Sequence, residues 1–212
     1  MRKFVFLLVA LMLQIGVVHA GAYEEILADA EHDRTGAVLE LLQLGLDVNT
    51  ATPDGTTLLM TASRNGNLDL VDSLLKKHAN HLVRNSFGDT ALMLAAFAGQ
   101  LAVVERLLEL GGQQEHRDGW TALHYAAIGG RVDVARFLVA KGAKVDARAP
   151  NTQTALMLAA AAGNLDMVKF LIDEQADIKL KDHNGKTAMD VAEGKGNKQV
   201  AGYIAAFYAS DK

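Results

Sequence analysis

The chain of 212 residues contains no cysteine. That excludes a disulfide scaffold, thiol chemistry and a lipid anchor attached through cysteine. In an oxidising compartment the same lack avoids wrong bridges. There is no Gly-x-Ser-x-Gly elbow and no phosphate loop. An excess of basic charge is also missing: 21 Lys and Arg stand against 25 Asp and Glu, a formal net charge of −4. Nothing global draws the chain toward nucleic acid or an anionic membrane. Beyond residue 20 the histidines are His32, His78, His81, His116, His124 and His183. None pairs at metal-ligand spacing on one helix, so no metal and no cofactor is expected.

What the chain does have is one phrase said five times, Gly-x-Thr-x-Leu-x-x-Ala. It runs Gly55 to Ser63, Gly88 to Ala96, Gly119 to Ala127, Thr152 to Ala160 and Gly185 to Ala192. Its threonines fall at Thr57, Thr90, Thr121, Thr154 and Thr187, at intervals of 33, 31, 33 and 33. A fixed period of this size means stacked supersecondary units, and stacked units bind more often than they catalyse.

Within one unit, Thr90 suits a helix cap, because its hydroxyl can accept from first-turn N–H groups. Ala91 to Ala98 then read as a helix with Leu92, Ala95 and Ala96 on one face, and Gly99 stops it. A second helix carries Leu101, Val104, Leu107 and Leu108, a stripe repeated as Leu68, Val71, Leu74 and Leu75 and in the later units. Asp69, Asp133 and Asp166 recur at one repeat position, which suits a solvated helix start and argues against an active site. Segments such as Gly142 to Ala147 form extended fingers between units.

The first residues form a different kind of segment. Met1-Arg2-Lys3 is basic, Phe4 to Val18 is apolar apart from Gln14 and Gly16, and Val18-His19-Ala20 has the small residues of a cleavage site. This reads as a secretory signal peptide over 1–20; cleavage after Ala22 also fits. An anchor would ask for about twenty apolar residues. Cleavage removes Arg2 and Lys3 and leaves 19 basic against 25 acidic residues, a net of −6. The expected organisation of 21–212 is a single domain: an N-terminal cap over 22–52, repeats over 53–85, 86–116, 117–149 and 150–182, and a C-terminal cap over 183–209.

These motifs make the chain resemble the ankyrin-repeat family over nearly all of residues 22 to 209. The family's Gly-x-Thr-Pro-Leu-His-x-Ala-Ala phrase, its helix-ending glycine, its Val-x-x-Leu-Leu stripe and its finger all have counterparts. The family's proline is Leu58 or alanine here. Its histidine survives as His124 and is Met60, Met93 and Met157 elsewhere. The span 111–118 is two residues short, so the finger there should be clipped. The resemblance implies an all-α solenoid of helix-turn-helix units joined by hairpin-like fingers. It also implies a framework role for His124, with its ring bonding a neighbouring turn.

In that fold, the residues flanking the turn glycine and the pair before the helix-ending glycine face the concave surface. The candidate partner-binding residues are therefore Phe87, Asp89, Phe97, Arg117, Trp120, Ile128, Asn151 and Gln153. Four of them are large apolar groups that framework packing does not require, and Trp beside Arg is hot-spot composition. Phe87 and Trp120 could equally lean on neighbouring fingers, half buried. The expected function is a non-catalytic, monomeric, periplasmic protein-binding module with no membrane contact after cleavage. Similarity to exported bacterial ankyrin proteins, some linked to protecting catalase against oxidants, narrows this further. A secreted effector that binds a host protein is the alternative. An enzyme would need a catalytic group that the array does not display.

Overall fold

A computed structural model describes residues 21–111 and 119–210. The signal-peptide reading of 1–20, the clipped finger, His116 and Arg117 lie outside the described residues. The described chain is helical throughout, with no strand; one isolated antiparallel bridge joins Ala51 to Thr57.

The helices come in pairs. The first is α1 (21–31) with α2 (Thr35–Gln43), followed by α3 (Leu58–Asn65) with α4 (Leu68–Lys76) and α5 (Ala91–Ala98) with α6 (Leu101–Glu109). Then come α7 (Ala122–Gly129) with α8 (Val132–Ala140), α9 (Ala155–Ala162) with α10 (Leu165–Asp173), and α11 (Ala188–Gly194) with α12 (Lys198–Ser210).

Each phrase builds the first helix of its pair. Thr57, Thr90, Thr121, Thr154 and Thr187 cap α3, α5, α7, α9 and α11, their hydroxyls accepting from the N–H three residues on. Such caps are each worth about 1 kcal/mol. Helices α3, α5, α7 and α9 end at glycines in the left-handed conformation, such as Gly99 at φ 86°, whereas α11 ends at Lys195 in the right-handed region.

Small residues let these first helices pack against one another. Ala62, Ala95, Ala96, Ala126, Ala127, Ala159, Ala160 and Ala192 are all fully buried. The second helices bring the bulk: Val71, Leu74, Val104, Leu107, Leu138, Val168 and Leu171 are buried. Each such side chain adds about 1.5–3 kcal/mol relative to exposure. The buried stripe is wider on one side than the spacing predicts, taking in Leu70, Val103, Val134 and Met167. Leu68 is instead 36% exposed, and Leu75, Leu101 and Leu108 are half-buried. The reason is that each second helix touches both the first helix of its own pair and the second helices beside it.

A polar ladder runs along the stack. The residue after each left-handed position reaches back to the preceding pair. Gln100 Nε2 donates to Arg64 O at 3.2 Å, and Arg131 Nε to Phe97 O at 3.1 Å. Asn164 Nδ2 donates to Ala127 O at 3.3 Å, and Asn197 Nδ2 to Ala160 O at 2.9 Å. Each rung adds a bond to a helix-end carbonyl; Ala127 O and Ala160 O also accept from the N–H of Gly130 and Gly163. Fingers are tied likewise: Ser86 N donates to Asp54 O at 2.7 Å, and Asp177 N to Asp146 Oδ1 at 3.1 Å.

Candidate functional site

The capping threonines fix where each first helix starts, and so fix which side chains project toward the fingers. The residue before Thr90 is Asp89, before Thr121 it is Trp120, and before Thr154 it is Gln153. Four residues after Thr121 comes Tyr125, one helical turn on and facing the same fingers.

These positions meet at the centre of the array. The Tyr125 hydroxyl donates to the Asp89 carboxylate of the preceding unit. Burial, aided by this carboxylate, pushes the phenol well above its ordinary pKa, so it stays a donor. Trp120 packs edge-on against His124 (centroids 5.6 Å apart, 78° between planes) and against Tyr125 (6.1 Å, 76°). Edge-to-face pairs of this kind add about 0.5–1.5 kcal/mol beyond burial. Trp120 is therefore half-buried and supported by two rings of α7, the helix that follows it, whereas the sequence reading sets it either open on the concave face or leaning on a neighbouring finger.

His124 lies under the tryptophan, 1% exposed. Its Nδ1 accepts from the Thr121 N–H at 3.0 Å, so Nε2 carries the proton and donates to Ala147 O at 3.0 Å. Burial lowers its pKa to about 4. A neutral imidazole with both nitrogens engaged is framework and is not poised for acid–base work.

The other candidates are differently placed. Phe87 is 74% exposed at a finger turn, and Phe97 is 44% exposed at the end of α5. Ile128 is half-buried at the matching end of α7. Asn151 and Gln153 are bonded to each other, Asn151 Nδ2 donating to Gln153 Oε1 at 2.7 Å. Asp89 is engaged by Tyr125 and by Asn85 Nδ2 at 3.3 Å. The structure thus joins Asp89 to Trp120 through Tyr125 and leaves the phenylalanines as the solvent-facing apolar groups.

Sequence reasoning missed Tyr125. Its signal is the position itself: the fourth residue after each cap threonine reads Thr61, Leu94, Tyr125, Leu158 and Val191, varied chemistry inside a constant frame. Among the described residues no group of three or more His, Asp or Glu could hold a metal ion. Nor is any described helix long and apolar enough to cross a membrane.

A family model for ankyrin repeats (3 copies) matches residues 26–118 and 59–149, and one for ankyrin repeats (many copies) matches 138–192. The chain is 33% identical over 147 residues to ankyrin repeat and SAM domain-containing protein 6 of Rattus norvegicus, covering 66% of this chain and 16% of that protein. It is 36% identical over 97 residues to the Notch-regulated ankyrin repeat-containing protein of Homo sapiens, covering 43% of this chain and 85% of that one. The match to the Caenorhabditis elegans homolog of transient receptor potential cation channel subfamily A member 1 is 33% over 123 residues, 57% of this chain and 10% of that protein. The chain thus spans a small part of the first and third of these relatives.

Proposed function

The chain belongs to the ankyrin-repeat family, whose arrays serve protein–protein interaction, and we propose that this one is an exported, non-catalytic module that holds a partner protein on its inner face. The observation that carries the reading is the exposed Phe87 and Phe97, in the unit before Trp120, together with the Trp120–Tyr125–Asp89 cluster. Exposed aromatics with a braced aromatic and a carboxylate are the composition of a binding hot spot rather than of a core. Export is proposed from the basic, apolar and small-residue order of Met1 to Ala20.

The finer reading is periplasmic retention as a monomer with an oxidant-sensitive enzyme such as catalase as partner. The test combines fractionation of producing cells with affinity capture from the periplasmic extract. The expected result is a mature protein starting at Gly21 in the periplasm, together with a recovered partner. If catalase is that partner, its activity after peroxide should fall when the module is absent. Recovery of the protein in the culture medium would overturn the periplasmic reading in favour of an effector that binds a host protein. An intact Met1 on membrane-bound protein would overturn export by a cleaved signal.

A further inference from the structure

The last pair among the described residues, α11 with α12, lies beside the finger that leads into it. A groove of about 530 Å³ opens there, between that finger and the α11–α12 pair. Its floor is apolar, formed by Ile178, Met189, Ile204 and Tyr208. A groove of this volume lies within the roughly 300–1,000 Å³ range of ligand-recognition sites.

The rim is cationic. Lys179 and Lys181 line it, and the Lys179 ammonium stands 5.6 Å from the centre of the Tyr208 ring. Asp190 lines the groove as well, and its carboxylate and those of Asp182 and Asp177 accept hydrogen bonds from the chain itself. Asp190 Oδ2 accepts from Thr187 N at 2.8 Å and from Thr187 Oγ1 at 2.7 Å. Asp182 Oδ1 accepts from the N–H groups of Asn184 at 2.8 Å and Lys186 at 3.0 Å. Asp177 Oδ1 accepts from Lys179 N at 2.8 Å. The Thr187 bonds hold the Asp190 carboxyl below its ordinary pKa, and the charges of the exposed Lys181 and Lys186 help. The groove therefore offers apolar contact below and, at its edge, two lysines against the single Asp190 carboxylate.

We propose that this groove binds an acidic peptide segment of a partner protein, one that sets an apolar side chain on the floor and a carboxylate against Lys179 and Lys181. A neutral apolar segment would desolvate the ammonium groups without replacing their water, and a basic one would be repelled. This site is separate from the aromatic inner face.

The test uses the full mature chain and a fluorescein-labelled peptide of alternating glutamate and leucine, followed by fluorescence anisotropy. Saturable, salt-weakened binding is expected. A glutamine-for-glutamate peptide should bind about tenfold more weakly, and a lysine peptide more weakly still. The double variant Lys179→Gln with Lys181→Gln should lose about tenfold at unchanged melting temperature, since both side chains are exposed. Ala205→Trp, which fills the groove from an exposed position of α12, should block binding. Phe97→Ala should leave it unchanged. No saturation at about millimolar protein, or equal affinity for the glutamate and glutamine peptides, overturns the proposal. Binding of decanoate without the peptide overturns it as well, and assigns the groove to a free amphiphile.

Discussion

His124 donates its Nε2–H to the carbonyl of Ala147 across 3.0 Å, tying the first helix of one unit to the finger that leads into the next. Its Nδ1 accepts from Thr121 N–H at 3.0 Å, a bond that exists only while Nδ1 is unprotonated. A buried histidine held this way makes the junction between two units sensitive to acid.

The sign follows from burial. The folded pKa of about 4 lies below the ordinary 6.5, so the unfolded chain binds more protons between those values. Stability from this group is complete above about pH 6.5 and is lost as pH falls toward 4, reaching about 3 kcal/mol. Urea titrations at several pH values should show this slope. His124→Met, the residue found at the matching positions 60, 93 and 157, should remove it. An unchanged slope in the variant would place the titration elsewhere.

Thr152 stands where the other phrases have glycine, and its backbone is at φ 60°. A β-branched residue there costs about 1–2 kcal/mol. Its hydroxyl is also buried without a hydrogen-bond partner, whereas its N–H and carbonyl are both bonded. Glycine keeps those main-chain bonds, relieves the strain and removes the buried hydroxyl. Its extra freedom in the unfolded chain gives back about 0.5–1 kcal/mol. Thr152→Gly should therefore raise stability by about 1 kcal/mol, read as a higher urea midpoint at constant m-value.

Gly129 gives the opposite outcome. At an open helix position, Gly→Ala gains up to about 1 kcal/mol. Here a Cβ would sit 2.3 Å from the Phe97 carbonyl oxygen, which also receives the Arg131 rung of the ladder. Because the obstacle is backbone, relief means separating α7 from α5. Gly129→Ala should lower stability by about 1–3 kcal/mol. A gain in thermal stability would show that the two helices part at little cost.

These sites divide according to what a sequence can reveal. The solenoid was legible because its instructions are local: a threonine cap, a left-handed glycine, small alanines on one helix and aliphatics on the next. His124 was readable as framework for the same reason. The ladder was not, because Asn, Gln and Arg do one job at equivalent positions, and only their shared reach to the preceding carbonyls unites them. The demand on Gly129 is a distance between two helices, which no spacing encodes. The family resemblance implies a place for Trp120 on the inner face. Its support by His124 and Tyr125, and the bond from Tyr125 to Asp89, depend on how consecutive units are rotated against each other.

That support separates the proposed binding face into parts with different expected behaviour. Phe87 and Phe97 are 74% and 44% exposed, so truncating either removes contact area without opening the core. Trp120 is half-buried on two rings, so truncating it also loosens His124 and Tyr125. With a captured partner in hand, Phe97→Ala should weaken binding by about 2 kcal/mol, the usual size for a hot spot, and leave the melting temperature nearly unchanged. Trp120→Ala should weaken binding by a similar amount and also cost about 1–2 kcal/mol of stability. The measurement pairs calorimetric affinity with thermal unfolding for both variants and for Phe87→Ala. If all three keep wild-type affinity, the partner does not use this face. A loss confined to Trp120→Ala and matched by unfolding would make the aromatic cluster a structural brace between two units.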